Sequence, residues 1–371
     1  MTKAAELAKI GEVATNSQIG RKNIIINGAM QVAQRSASVT GLGAASGYFT
    51  LDRFKMEINS ASAGRFTMSQ SAVTDLDGFS NALKIDCTTA DTSIAAGEVL
   101  ILRQNIEGLN CQQLKASSTS TNAFTLSFYA KSNASRVIAS ELRLSSGTNR
   151  QAVKVHTIGT SWARYTFTVA AASSTEIDND NTTGLQANFF IHGGSTFTGG
   201  TVSATLESDT AANRAAGIGS IFASTDNTLE ITGVQLEVGS QATPFEHRSF
   251  GEEKLLCGRY YQKKGGEQVH SVLGHGYNHT TDDAIIFVPL TPEMRAVPTL
   301  DTGTLSKIRV TDQDASTEAI GALTIGGTDS RTGMASLNAA NITGDTQTAG
   351  EATALVCNND ADGYVAFIAE L

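Results

Sequence analysis

Three histidines, His270, His275 and His279, fall within ten residues in the run VHSVLGHGYNHTTDD, with Asp282 and Asp283 just behind them. Imidazole nitrogens mixed with carboxylates can hold a transition metal. Two rings four residues apart share a face only in a helix. Gly274 and Gly276 argue for a loop, so no metal site is predicted. The same run supports a different chemistry. Tyr277 offers a flat apolar ring with a polar tip, and His275, Asn278 and His279 offer hydrogen-bonding groups around it. Sugars are held by aromatic faces against C–H groups and by planar polar side chains against hydroxyls. Loops carried by a rigid β scaffold are where such residues gather. Tyr277, His275, Asn278 and His279 are therefore the candidate glycan-binding loop. Trp162, the one tryptophan, lies in SWARYTFTV, out of phase with Ala163, Tyr165, Phe167 and Val169. Either it packs at a strand start or it faces away from the apolar side as a sugar platform.

Catalytic signatures are missing. There is no GxSxG elbow, HExxH, GxxxxGK[ST] or GxGxxG after a strand. A pair of carboxylates could still meet in space, as in glycosidases. The expectation is nonetheless a protein without catalysis or cofactor. DNDNTTG at 178–184 resembles the start of a calcium loop but lacks the downstream bidentate Glu. Asp and Asn turn chemistry explains it better.

The bulk properties narrow the classes further. Charged residues are 17% and apolar residues 40% of 371, and net charge is −9. No global basic field invites nucleic acid. The longest strongly apolar run, near Ala284–Leu290, falls far short of the roughly 20 residues that span a bilayer. Lys3, Glu6, Lys9 and Glu12 leave no uncharged core for a signal peptide. Neither nucleic acid binding nor membrane insertion is expected. Cys87, Cys111, Cys257 and Cys357 form no CxxC unit and read as buried free thiols.

Position depends on the elements. Residues 2–14 place Leu7, Ile10 and Ala14 on one helical stripe, too short to be stable alone. From Arg21 to about Phe245 the pattern is β. AFTLSFYAK at 123–131 alternates Phe124, Leu126 and Phe128 with Thr125, Ser127 and Tyr129. Similar runs lie at 48–58, 65–71, 98–106, 136–144, 152–156, 163–169, 185–192 and 228–238. Turn-rich stretches separate them, and no long helix intervenes. This predicts an all-β sandwich or jelly roll over 21–248. Ser249 and Glu252 have capping-box spacing, and a helix of about three turns is expected in the connector 249–266, stopped by Gly265-Gly266. Residues 267–371 read as a second, smaller β domain.

Several segments taken in order resemble a known family: RKNIIINGAMQVAQR at 21–35, YFTLDRFKM at 48–56, LRQNIEG at 102–108, ITGVQLEVGSQATPFEHRSFGEEKLLCGRYY at 231–261, and VPLTPEMRAVPTL leading into the terminal AFIAEL. The order resembles virion structural proteins of tailed bacteriophages, including those of cyanobacteria and other marine bacteria, commonly called tail fibre or carbohydrate-binding-like proteins. The resemblance covers about 21 to 371. It implies a jelly roll like those of carbohydrate-binding modules, a place in the virion after assembly in the host cytoplasm, other virion proteins as partners, and no identifiable ligand motif. It implies that the strand around NIIING pairs with ITGVQLEVG near a sheet edge, with Gly28 and Gly233 at turn or bulge positions. In such a setting the segment 1–20 attaches the protein to the particle or joins copies, a trimer being expected, through Leu7 and Ile10. The function expected is receptor binding to bacterial surface polysaccharide. The alternatives are a head or tail decoration or adaptor role and, further off, a capsular polysaccharide depolymerase.

Overall fold

The computed structural model describes residues 21–371 apart from 61, 116–117, 147–148, 174–175, 312–316, 327–330 and 345–346. The expected N-terminal helix, with Leu7 and Ile10, lies outside the described residues. The chain divides into two units, one up to Glu253 together with Leu371, the other Lys254–Glu370.

The first unit is a jelly-roll sandwich of two six-stranded antiparallel sheets. One runs in the order Ser38–Leu42, Arg65–Ala72, Asn81–Thr89, Thr228–Val238, Phe124–Ser132 and Ala163–Val169. The other runs Glu207–Ser208, Arg150–Ile158, Arg136–Leu144, Thr183–Gly193, Val99–Glu107 and Lys55–Asn59. Period-two alternation decides what each strand buries. Phe124, Leu126 and Phe128 turn inward and meet Leu102, Leu142 and Phe189 of the opposite sheet. The Phe128 and Phe189 rings cross edge-on at 4.9 Å.

The run 48–58 is a strand only from Lys55. Arg53 takes a left-handed φ of 72°, which breaks the extended run before it. Its buried guanidinium donates to the Asn105 carbonyl at 2.6 Å.

NIIING is not a strand. It is an irregular strap whose backbone polar groups are satisfied largely by side chains. Asn23 Oδ1 accepts from the Ile25 and Leu236 amides. The Asn27 side chain bonds the Val32 amide and the Val32 and Asp52 carbonyls. Gln104 bonds both the amide and the carbonyl of Ile26. The expected pairing with the Thr228–Val238 strand exists, through Ile24 N to Leu236 O and Val234 N to Gly28 O. It is in mid-sheet, not at an edge. Along Thr228–Val238 the Asn81–Thr89 strand reaches only Thr228–Ile231, and the strap takes the side left free beyond the register shift between Thr232 and Gln235. Gly233 lies within that shift at φ 58°.

The connecting helix is shorter than expected, Phe250–Gly258. Ser249 Oγ accepts from the Glu252 amide at 3.3 Å, half of a capping box. Glu252 instead pairs with Arg21, and Glu253 with Arg248 and the Asn27 amide. Tyr261–Gly265 is a strand, because its backbone pairs with Tyr364–Ile368. In the second unit a three-stranded sheet (Tyr261–Gly265, Tyr364–Ile368, Thr299–Asp301) contributes Val365 and Phe367 to one core with Leu273, Ile286, Leu337 and Leu355 of a seven-stranded sheet.

Candidate functional site

The seven strands run Thr317–Ala319, Ile308–Thr311, Ala352–Cys357, Val272–Asn278, Ala284–Pro289, Met334–Ala340 and Ala322–Ile325. The run expected as a loop is therefore the central strand. Gly274 and Gly276, taken as loop residues, are packing residues. A Cβ on Gly276 would lie 1.7 Å from the Ile285 carbonyl oxygen, and one on Gly274 would lie 2.8 Å from Ile286 and Val288. A register irregularity between Val272 and Gly274 puts Leu273 in the core and leaves Val272 outside. From there alternation sets the faces. His275 and Tyr277 point to solvent, and His279 follows in the hairpin, its amide bonded to the Asp283 carbonyl.

Asn278 is a correction. It points to the buried side, is 0% exposed, and among the described residues neither polar atom of its side-chain amide has a hydrogen-bond partner. It cannot share a ligand with Tyr277. Among the histidines, His270 lies in a turn at φ 55°, before the strand begins. Among the described residues no three His, Cys, Asp or Glu side chains converge as a metal would need, and no helix is long and apolar enough to cross a membrane.

Sequence reasoning missed Phe287. It stands opposite His275 in the register, and its ring lies 6.4 Å from that of Tyr277. No alternation marks it in the sequence, because Ala284–Leu290 is one unbroken apolar run, and its outward face follows only from pairing with Val272–Asn278. Tyr277 remains 39% exposed. Its cross-strand neighbours are Ile285 on one side and Ala352 on the other; Ala354 stands opposite His275. The result is an aromatic wall beside a shelf of small residues, with His275 and His279 at its ends. The Tyr277 and His279 rings are 6.5 Å apart. Rings fixed on a strand offer a flat face without an ordering cost, and the imidazoles and phenol supply donors and acceptors.

Trp162 belongs to the first unit. It precedes the Ala163–Val169 strand and faces away from Phe167 and Val169. Its Nε1–H donates to Asp75 at 2.9 Å, and Lys131 lies 4.9 Å over the ring while pairing with Asp75 at 2.9 Å. Those two hydrogen bonds hold the Asp75 carboxyl below the usual carboxylate range.

Among the described residues one Ser–His–carboxylate chain is present. Ser220 Oγ lies 2.8 Å from His192 Nδ1, and His192 Nε2 lies 3.2 Å from Glu98. The ring is 1% exposed, and the Ser220 hydroxyl also accepts the Phe222 amide, capping the turn Ile221–Ala223. Burial pushes the His192 pKa down against the opposing pull of Glu98. All three side chains are tied into that knot, which anchors the turn to two strands. Asp180 likewise explains DNDNTTG, accepting from the amide and hydroxyl of Thr182 as a turn residue does.

No protein-family model and no curated protein matches the chain. Solved structures do show likenesses. The enzymatically active domain of tailspike protein 4 of bacteriophage CBA120 aligns over 58% of this chain and 21% of its own, at 13% identity and a TM-score of 0.29. The module TmCBM61, in complex with β-1,4-galactotriose, aligns over 59% and 99%, at 9% identity and 0.27. The family 11 carbohydrate-binding module of the cellulase Lic26A-Cel5E of Clostridium thermocellum aligns over 59% and 96%, at 11% and 0.25. The chain spans about a fifth of the tailspike domain's length. The jelly-roll description above rests on the strand order of this chain.

Proposed function

We propose that the protein is a non-catalytic saccharide-binding protein of a tailed-phage virion, a tail fibre or receptor-binding protein that adheres to bacterial surface polysaccharide. One observation carries the binding reading: the exposed Tyr277 ring beside Phe287, flanked by His275 and His279, on the open face of a rigid sheet. The phage setting is supported by the order of sequence segments from 21 to 371. Partners in this reading are other virion proteins and further copies of the chain, a trimer joined through Leu7 and Ile10. Neither nucleic acid nor a cofactor enters it. Weak single-site affinity is raised by the number of copies.

A decoration or adaptor role is the second reading. Val272 and Met334, 54% and 38% exposed, lie on the same outer face and would suit a protein surface. The test is binding of the purified protein to whole bacterial cells and to extracted surface polysaccharide, wild type against Tyr277→Ala. Saturable binding weakened tenfold or more by the substitution is expected. Binding that ignores it would discard this site, and a folded oligomer that binds no cell would favour the adaptor.

A further inference from the structure

The outer face of the first unit's Ser38–Leu42 to Ala163–Val169 sheet carries a second group of rings, away from the core. Tyr129 lies 5.2 Å from Phe79, Phe79 lies 5.1 Å from Phe245 and 5.2 Å from His247, and Phe245 and His247 meet edge-on at 4.8 Å. Trp162 lies two residues before Arg164, which pairs with Tyr129. Trp162, Tyr129, Phe245 and His247 each keep part of their surface in water.

The backbone is shaped to receive these rings. Gly233, at φ 58°, lies beneath two of them. A Cβ there would meet Phe79 at 2.7 Å and Tyr129 at 2.8 Å. Gly78, at φ 85°, lies 3.5 Å from the His247 ring by the same measure. Left-handed backbone at both points favours glycine. Cations lie over one face of two of the rings, Lys131 over Trp162 and Arg164 5.9 Å over Tyr129. A strip so fixed has little freedom left to lose on binding.

Its charge selects the ligand. Lys131 pairs with Asp75 and reaches Glu230 at 4.0 Å, and Lys84 pairs with Asp86 at 3.2 Å. Arg164 adds a third cation, and Asp77, Glu246 and Arg248 adjoin Gly78, Phe245 and His247 in the chain, so four cations stand among five carboxylates. That leaves no excess of cations to attract an acidic polymer, but many donors and acceptors beside half-exposed rings. We infer that this strip is a second saccharide platform, independent of the Tyr277 face, that takes neutral hexopyranose units. The inference rests on the saccharide-binding reading above but concerns other residues in the other unit.

Trp162 is the only tryptophan, so its emission reports on this strip alone. The full chain, as wild type and as Tyr277→Ala, would be titrated with cello- and mannohexaose, and with alginate oligosaccharide as an anionic arm. The same ligands would be run in affinity electrophoresis. The expected result is a saturable change in emission with a neutral hexasaccharide in both proteins, weakened tenfold or more by Tyr129→Ala. His247→Ser, on the exposed rim, should weaken it in the same direction and covers the case in which Tyr129→Ala does not fold. A response to alginate only would overturn the neutral-sugar assignment. Electrophoretic binding that Tyr277→Ala abolishes, with Trp162 emission unmoved, would overturn this platform and leave the proposed function standing. No binding in either assay would overturn both.

Discussion

His156 shows how one buried side chain couples this fold to pH. Its ring is enclosed by the Phe128 edge at 5.2 Å and by Tyr165, with Ser140 Oγ 2.8 Å from Nε2. Burial pushes its pKa from 6.5 down to about 4. Below pH 6.5 the unfolded chain takes up a proton that the folded chain refuses until about pH 4. Stability is therefore full above 6.5 and falls as pH drops toward 4, by about 3 kcal/mol from this group. His192, also lowered by burial, adds in the same direction. Urea denaturation at pH 7 and pH 4.5 measures the slope, and His156→Gln should flatten it. An unchanged slope would remove His156 from the account. Asn27 makes a second prediction at this scale. Its side chain closes three hydrogen bonds that tie the strap to Val32 and Asp52. Asn27→Ala leaves buried backbone groups unpaired and should cost about 2–4 kcal/mol in the same titration.

At the level of elements, the strap is the most exacting part of the first unit. Gly28 passes so close to the Thr228–Val238 strand that a Cβ would lie 2.1 Å from the Val234 carbonyl oxygen. Backbone cannot yield there as a flexible side chain would. Gly28→Ala should destabilise the unit by about 3 kcal/mol or more, read as a shift in denaturation midpoint at unchanged m-value. The strap also shows why some elements were legible in the sequence and others were not. Phe124–Ser132 was plain because one face is apolar and the other polar. NIIING reads as a strand because three isoleucines in a row suit one, yet Asn23, Gln104, Glu246 and Glu253 bond its backbone in place of a full ladder. Val272–Asn278 failed in the opposite way. Glycine suggested a loop, whereas Gly274 and Gly276 let neighbouring strands approach. Tyr277 survived that error as an exposed residue because alternation put it outward. Asn278, one residue on, had to go inward, and Phe287 joined the site only through pairing, which no local pattern records.

Across the whole molecule, the two units own separate cores. Phe66, Phe128 and Leu236 belong to one cluster, Ile286, Leu337 and Phe367 to the other. Calorimetry should resolve two transitions. Phe367→Ala, which empties a fully buried site, should lower one of them by the equivalent of about 3–5 kcal/mol and leave the other in place. A single transition that moves as a whole would refute separate cores.

Copy number then decides what the two proposed saccharide faces can achieve. A ring stacked on a sugar contributes on the order of 1 kcal/mol, so each face alone binds weakly. Attachment of several copies makes the second contact intramolecular and can raise apparent affinity by about 10²–10⁴. The segment 1–20 carries the stripe Leu7, Ile10 and Ala14 that the proposed function assigns to joining copies. Removing residues 1–20 should therefore reduce binding to immobilised polysaccharide by a hundredfold or more. Binding of a short soluble oligosaccharide, which engages one face at a time, should stay within a factor of two. Light scattering on both proteins links the loss to oligomeric mass. If the truncated chain keeps its mass and its avidity, copies are joined elsewhere. If it loses its mass but keeps full avidity, the two faces of a single chain are sufficient for adhesion.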